Sequence, residues 1–374
     1  MSGIYIHIPF CKKACHYCNF HFSTQIQHID QFVDALIKEI AMQNDYLTGP
    51  VKTLYFGGGT PSLMNELQLE KIVKAISTQY SLASDLEFTL EANPDDFSLT
   101  KTRAWKNIGI NRLSIGIQSF QQKALTWMNR AHSTQQSHEA IQNAKTVGIY
   151  NISTDLIYGT PHLSDEDLLK DIAILKEYEI PHVSCYALTV EEKTALYRLI
   201  QKQKMEAVDA EKQARQFEIV VNGLNQNGLE HYEISNFAKS GYRSQHNSNY
   251  WKGISYLGLG PSAHSYNIHS RQWNIANNQL YIQSINEGKL PFEIENLDTS
   301  TQYNEYMMIR LRLLEGFEME QIQDKFGDAY VQHTKNILKD HLRTEKIIAT
   351  KNGYTITKQA RFLADGIASD FFIV

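Results

Sequence analysis

The sequence predicts an α/β protein: a partial (β/α)6 barrel followed by a small C-terminal α+β unit that is winged-helix-like. Two observations lead to this prediction. Six short β-rich runs alternate with amphipathic helical stretches over roughly the first 190 residues, which is typical of βαβ units around a parallel sheet. From about residue 300 the pattern changes to helices and one hairpin. A doubly wound open sheet is the alternative for the first part.

The candidate strands are runs rich in β-branched and aromatic residues. They lie at 3–8, 52–56, 86–92, 112–118, 152–158 and 182–188. The candidate helices lie at 29–46, 66–80, 134–148, 164–178 and about 203–226. Ser164 is a good N-cap, and Glu166 and Asp167 follow in the first turn, where acidic side chains favour a helix start.

The remaining sequence falls into two parts. Residues 231–275 are irregular and rich in glycine and aromatic residues. Helical runs after residue 300 precede two β-like runs joined by Asn352 and Gly353, which is a strong hairpin signal. Residues 301–374 hold ten basic and ten acidic side chains, so we expect this unit to cap the large domain or mediate contacts, not to bind DNA. The predicted domains are 1–230, an extension at 231–299, and 300–374.

Length and composition indicate an ordinary globular protein. The chain has 374 residues, is 42% hydrophobic and carries a formal net charge of −5. No run approaches the ~20 apolar residues that span a bilayer, and the N-terminus does not resemble a signal peptide, so we expect a cytoplasmic protein. A pI of about 6.3 argues against nucleic acid as the main partner. Four cysteines do not make a disulfide framework.

Three of those cysteines, Cys11, Cys15 and Cys18, form a C-x3-C-x2-C pattern just after the first predicted strand. Thiolates are soft ligands that suit zinc and iron–sulfur clusters. A structural zinc site needs a fourth ligand, for which His16 or Cys185 is available, although Cys185 lies mid-strand and is predicted to be a small buried hydrophobe. A [4Fe–4S] cluster on three cysteines would leave one iron open to a substrate or cofactor. The pattern favours the cluster.

Other polar residues recur where the predicted strands end. The glycine run 57–59 with Thr60 follows the second strand, where it lets the backbone approach a ligand and point N–H groups at it. Glu91, Gln118 and Asp155 lie at or near the ends of the next three strands. Parallel sheets and barrels place their sites at this end, so these residues predict one shared site.

The cysteine pattern, with Tyr17 before the last cysteine, resembles the radical S-adenosylmethionine (SAM) superfamily. Further segments, in order, resemble the oxygen-independent coproporphyrinogen III oxidases and their relatives: "IYIHIPFCKKACHYC", "LYFGGGTPS", "LEANP", "RLSIGIQSF", "MNRAH", "DLIYGTP" and "HVSCYALT". The resemblance implies a radical-SAM barrel in which SAM chelates the open iron of the cluster and is cleaved to a 5′-deoxyadenosyl radical. It implies SAM contacts at Tyr5, Tyr17, Gly57, Gly58, Gly59, Thr60, Glu91, Gln118, Arg130, Asp155 and Ala187.

The sequence departs from the oxidase pattern at Phe20, where oxidases of this type carry a further cysteine. Only ten residues precede Cys11, so we expect the segment that the oxidases use near the substrate to be absent. Both departures argue against decarboxylase activity. The stretch "SQHNSNYWKG" resembles the signature of the haem-chaperone branch of this family, which implies haem contacts at His246, Asn247, Tyr250 and Trp251.

Histidine and tyrosine are known axial ligands of haem iron, and Trp and Tyr offer flat faces for a porphyrin. The alternative for His246 and Asn247 is a buried pair that braces a loop, and His264 is a second candidate for the iron. We expect a haem chaperone that binds a cluster, SAM and haem.

The expected partner of such a chaperone is a haem-acceptor protein, for which a membrane-bound haem enzyme is one candidate. A cluster near the surface would favour a homodimer. The alternative functions are the oxidative decarboxylation of coproporphyrinogen III in porphyrin biosynthesis and a zinc-stabilised structural role.

Overall fold

Six parallel strands form the centre of the molecule, in a computed structural model that describes residues 2–373. They are β1 (Ser2–Ile8), β2 (Val51–Gly58), β3 (Leu82–Ala92), β4 (Arg112–Gln118), β5 (Asn151–Tyr158) and β6 (His182–Ala187). Each strand pairs in parallel with the next one along the chain. Because a doubly wound sheet reverses its strand order and these six follow chain order, the partial barrel is confirmed and the open-sheet alternative is wrong.

Helices connect these strands. They are α1 (Ile29–Met42), α2 (Glu66–Gln79), α3 (Leu99–Ile108), α4 (Gln122–Trp127), α5 (Thr134–Thr146), α6 (Asp165–Glu177), α7 (Ala195–Gln201) and α8 (Ala210–Gln226). The predicted start of α6 is confirmed, because the Ser164 side chain accepts a hydrogen bond from the Asp167 N–H. α8 begins later than predicted, since the Asp209 side chain accepts the N–H groups of Glu211 and Lys212 and caps the helix there.

The strands divide their side chains between two faces. Ile4, Ile6 and Ile8 of β1 are fully buried in the hydrophobic core, on the face that the helices cover. The alternating Tyr5 and His7 point the other way, into the barrel. This alternation leaves polar side chains inside the barrel, where a ligand site can form.

The stretch predicted to be irregular contains short strands that extend both edges of this sheet. These elements and their neighbours are β7 (Glu230–Glu233), β8 (Asn236–Ala238), α9 (Gln245–Trp251), β9 (Tyr256–Leu259), β10 (His264–Tyr266), β11 (Ser270–Asn274), α10 (Asn278–Asn286) and β12 (Phe292–Asn296). β9 pairs in parallel with β1, and β8 pairs antiparallel with β6. Strands this short form only because a distant edge is available, so the local sequence does not reveal them.

The C-terminal residues form a helical unit with its own hydrophobic core. Its elements are α11 (Thr299–Arg312), α12 (Met319–Phe326), α13 (Asp328–Arg343), β13 (Ile347–Ala349), β14 (Tyr354–Ile356) and α14 (Ala364–Ser369). β13 and β14 pair antiparallel across the turn with Asn352 and Gly353, which confirms the predicted hairpin. Across residues 2–373, every helix falls short of the length and apolar character that crossing a bilayer requires.

Candidate functional site

A cavity of about 440 Å³ opens where the parallel strands end. It collects residues from the loop after β1, the glycine run after β2 and the carboxyl ends of β3 to β6. Most of the residues that the sequence placed in one site line it: Cys11, Cys15, Tyr17, Cys18, Gly58, Gly59, Thr60, Glu91, Gln118, Arg130, Asp155 and Ala187. Tyr5 and Gly57 lie next to it, because a Cβ on Gly57 would come within 2.9 Å of the Tyr5 ring and 3.0 Å of Glu91 Oε1.

The cysteine loop presents three half-buried thiols to this cavity. Thr60 Oγ1 donates to Cys11 Sγ over 3.4 Å, and Arg130 Nη1 donates to Cys15 Sγ over 3.4 Å. Burial, with a smaller contribution from the other two thiols, raises the pKa of Cys11 to about 11, and burial also raises the pKa of Cys18. The hydroxyl and the guanidinium oppose this shift, so they favour the thiolate forms that bind metals.

The three thiols line a cavity and do not converge on one point. Within residues 2–373, no three His, Cys, Asp or Glu side chains are grouped closely enough to hold a single metal ion. A cluster with several irons binds thiolates that are further apart, because each sulfur bonds a different iron. His16 bonds through Nδ1 to the Trp127 carbonyl, and Cys185 is 3% exposed within the hydrophobic core, as predicted. The arrangement fits a cluster better than a zinc ion.

Arg130 is the cationic group deepest in this site. Its Nη2 donates to Asn93 Oδ1 over 2.6 Å and to the Gly116 carbonyl over 2.8 Å, and its Nη1 donates to the Tyr17 hydroxyl over 3.4 Å. Its Nε is buried and has no hydrogen-bond partner within residues 2–373. A buried guanidinium N–H without an acceptor costs free energy unless a ligand supplies one, and a carboxylate is well suited to do so.

Glu91 and Asp155 provide two half-buried acceptors in the cavity. Glu91 Oε1 accepts from the Tyr55 hydroxyl over 2.7 Å, and Oε2 accepts from the Gly58 N–H over 3.2 Å. Burial raises the pKa of Glu91 to about 7 and that of Asp155 to about 6. A ligand that donates hydroxyl or amino hydrogens to these groups would favour their ionised forms.

The glycine run serves mainly to bring two loops together. Gly59 N–H donates to the Ile8 carbonyl over 2.8 Å, and Thr60 N–H donates to the Phe10 carbonyl over 2.7 Å. A Cβ on Gly59 would lie 2.7 to 2.9 Å from backbone atoms of Ile8 and Phe10, so only glycine allows this approach. These two N–H groups therefore bond within the chain and do not point at a ligand.

Gln118 has a left-handed backbone conformation, with φ at 64°. The carboxylate of Asp171 holds the loop that follows it: Oδ2 accepts from the Ser119 hydroxyl over 2.7 Å, and Oδ1 accepts from the Phe120 N–H over 3.2 Å. Such a conformation is strained for a residue other than glycine and persists where neighbouring contacts enforce it. The sequence alone does not indicate this role for Asp171, because an acidic residue within a helix carries no local signal of it.

The four residues predicted to contact haem are not among those that line this cavity. They lie on α9, and His246 is 2% exposed. Its Nδ1 is 2.8 Å from Thr53 Oγ1 and its Nε2 is 2.8 Å from the Tyr250 hydroxyl. Burial, and secondarily the charge of Arg112, lowers the pKa of His246 to about 3. Both ring nitrogens of His246 therefore form hydrogen bonds with other side chains of the protein.

Two other residues singled out by the sequence are exposed. Phe20, at the position where oxidases carry a further cysteine, lines the cavity mouth with 71% of its surface exposed. The His264 side chain on β10 is exposed and lies 6.0 Å from the Trp273 ring, at 30° to its plane. Among residues 2–373, the His264 ring has no hydrogen-bond partner.

Comparison with known proteins identifies the family. Residues 5–175 match the Radical SAM superfamily, and residues 297–363 match the HemN C-terminal domain. The chain is 35% identical over 375 residues to "Heme chaperone HemW" of Bacillus subtilis (strain 168), and the match covers 99% of each chain. The chain belongs to the HemW family. The HemW of Mycobacterium tuberculosis (strain H37Rv) is 32% identical over 374 residues, which cover 98% of this chain and 93% of that protein. Radical SAM membership implies a [4Fe–4S] cluster and SAM.

The structural comparison agrees on the fold. The coproporphyrinogen III oxidase HemN of Escherichia coli superimposes with a TM-score of 0.86, covering 99% of this chain and 89% of that chain. The sequences are 21% identical, so this likeness shows the radical-SAM fold alone. The HemW of Escherichia coli (strain K12) is 35% identical, over 70% of this chain and 69% of that protein. The sequence relatives therefore favour the HemW branch over the oxidase.

Proposed function

We propose that the chain binds a [4Fe–4S] cluster and SAM in the cavity at the strand ends, and that it binds haem and transfers it to an acceptor protein. The main support is that one cavity is lined by three cysteines, by two half-buried carboxyl groups and by Arg130, whose Nε–H has no partner within residues 2–373. The relatives of similar length are named heme chaperones. When bound, the cluster would supply the electron for reductive cleavage of SAM.

Each group in the cavity has a role that its environment suits. The three cysteines would hold the cluster, and the Nε–H of Arg130 would donate to the carboxylate of SAM. Glu91 and Asp155 would accept hydrogen bonds from its amino group and its ribose hydroxyls. All of these residues line the cavity.

For haem, we propose His264 as the residue that reaches the iron. Its ring is exposed and has no hydrogen-bond partner within residues 2–373, and Trp273 offers a flat face beside it. Partial desolvation of the ring, and secondarily the charge of Arg271, lowers the pKa of His264, which favours the neutral imidazole that binds metals. The haem contacts at His246, Asn247, Tyr250 and Trp251 stay a prediction, and the experiment below tests it at His246.

The test is a haem titration of the anaerobically reconstituted chain, followed by the Soret band. We expect the wild type to bind haem stoichiometrically, His264→Ala to lose most of the affinity, and His246→Ala to keep it. His269→Ala is the matched control, because His269 is an exposed histidine in the same extension. Loss of the Soret shift in His246→Ala alone would place the iron at α9 and overturn the assignment to His264.

The oxidase alternative is tested in the same preparation. We expect no protoporphyrinogen when coproporphyrinogen III, SAM and a reductant are supplied. Phe20, which replaces the oxidase cysteine at the cavity mouth, supports this expectation. Turnover of coproporphyrinogen III would contradict the chaperone proposal.

A further inference from the structure

The helix that carries the H-N-x-x-Y-W motif is attached near the amino-terminal halves of the barrel strands, away from the cysteine loop. The N–H groups of Gln245 and His246 donate to the two carboxylate oxygens of Glu87, over 3.1 and 3.0 Å. Glu87 pairs in register with Thr53, whose hydroxyl contacts the His246 ring. The first turn of α9 is therefore held by two neighbouring strands, which both continue to the SAM cavity.

The His246 ring packs against two tyrosines inside the barrel. It stacks on Tyr55 with a centroid distance of 4.9 Å and on Tyr5 with a centroid distance of 6.3 Å. Tyr5 and Tyr55 also stack on each other, at 6.0 Å. With both of its nitrogens bonded, the imidazole has one orientation, so it presents a fixed surface to the tyrosine rings.

The tyrosines in turn meet the carboxylate that lines the cavity. The Tyr55 hydroxyl donates to Glu91 Oε1 over 2.7 Å. A Cβ on Gly57 would lie 2.9 Å from both tyrosine rings and 3.0 Å from the same Glu91 oxygen, so the three side chains meet at this glycine. Contacts thus run without a gap from the motif histidine through Tyr55 to Glu91.

We propose that His246 is a positioning residue for the SAM site, which acts on Glu91 through Tyr55. This inference rests on the proposed binding of SAM in the cavity. Without the imidazole, the Tyr55 ring loses its packing partner on one side and its hydroxyl no longer has a fixed place beside Glu91. We expect the dissociation constant of SAM to rise about tenfold or more, as for the loss of one hydrogen bond to a charged group.

The test is a double-mutant cycle on the full chain with its cluster reconstituted. The dissociation constant of SAM is measured for the wild type, His246→Ala, Tyr55→Phe and the double variant. If His246 acts through Tyr55, each single variant weakens SAM binding and the double variant is little weaker than Tyr55→Phe alone. Wild-type affinity in His246→Ala, or losses that add independently, would overturn the inference.

A matched control separates positioning from a general loss of stability. His231 is also buried, both of its ring nitrogens are bonded, and it stacks on Phe237 at 4.2 Å. We expect His231→Ala to lower stability but to leave SAM binding unchanged. Should His246→Ala fail to fold, His246→Gln is the second variant, because it removes the stacked ring while keeping polar atoms. It is expected to weaken SAM binding as well. Unchanged SAM binding in His246→Gln would overturn the inference. A wild type that does not bind SAM would instead refute the proposed function.

Discussion

Arg130 brings its guanidinium to the cysteine loop, and its buried Nε–H has no partner within residues 2–373. Its charge also favours the thiolate forms of Cys11 and Cys18, whose pKa values burial raises. A single side chain therefore serves both the proposed cluster ligands and the proposed SAM carboxylate. The resemblance to a family pointed to Arg130, but its free Nε is visible only in the folded chain.

We predict that Arg130→Met raises the dissociation constant of SAM by about tenfold or more, because one charge-assisted hydrogen bond contributes about 1.5–3 kcal/mol. The measurement is SAM binding at matched iron and sulfide content. Arg130→Lys, which keeps the charge but loses the planar fork, should be intermediate. Binding by Arg130→Met as tight as by the wild type would contradict the proposed role.

Two elements depend on single buried carboxyls. Asp171 of α6 holds the loop after β4, and Glu39 of α1 holds the extension that follows α9. Glu39 accepts hydrogen bonds from the Tyr281 hydroxyl, the Gly260 N–H and the Asn274 side-chain amide. Each of these carboxyl groups bonds to segments that are far away in the chain, so each one fixes the position of those segments relative to its own helix.

We predict that Asp171→Ala destabilises the loop at Ser119 and Phe120 and weakens SAM binding, because Gln118 keeps its left-handed backbone only while this loop is held. Hydrogen exchange of the loop amides should become faster. Asp171→Asn should keep most of the protection of the loop amides. Asp34→Ala, at an exposed position of α1, should change neither the exchange nor SAM binding. Unchanged exchange in Asp171→Ala would argue against this role.

Glu39 gives a prediction on pH. Burial raises its pKa from 4.5 to about 7, so between these values the folded protein binds a proton that the unfolded chain does not. The contribution of this group to the free energy of unfolding therefore falls as the pH rises through that interval and levels off above it. The measurement is denaturant unfolding at pH 5.5 and pH 8. The free energy of unfolding of the wild type minus that of Glu39→Gln should be smaller at pH 8 than at pH 5.5; a larger value at pH 8 would contradict the prediction.

At the scale of the whole molecule, α9 connects the barrel to the C-terminal unit. Arg312 of α11 lies over the Trp251 ring at 5.6 Å, and its Nη2 is 3.9 Å from Glu233 of β7. The Leu314 N–H donates to the Tyr232 carbonyl over 3.2 Å. One end of the motif thus packs inside the barrel and the other end packs against the C-terminal unit.

We predict that Trp251→Ala loosens the C-terminal unit while leaving SAM binding intact. A cation–π contact contributes about 0.5–2 kcal/mol, and the lost packing of the ring adds to this. Limited proteolysis should cleave the variant faster after residue 299 than the wild type. Tyr150→Ala removes an exposed aromatic ring and is the matched control. Equal cleavage rates for Trp251→Ala and the wild type would count against this connection.

The sequence by itself determined the six parallel strands, the cysteine pattern after the first of them and the end of the barrel at which the cavity forms. These features follow from alternation of side chains along a strand and from ligand spacing, which are local properties of the chain. The start of α6 at Ser164 and the hairpin at Asn352 and Gly353 are likewise specified by neighbouring residues in the sequence. Glu91, Gln118 and Asp155 could therefore be named from their places at the strand ends, whereas Arg130 and Ala187 were indicated only by the family resemblance.

Only the tertiary structure decided what His246 does. Its nitrogens and its ring meet Thr53, Tyr55 and Tyr250, and the first of these lies 193 positions away in the sequence. The same holds for Asp171 with the loop at Ser119. The pairing of polar groups in the interior depends on strand register and on how distant elements pack together. A buried polar group needs a hydrogen-bond partner, and the packing of those elements decides which partner is within reach.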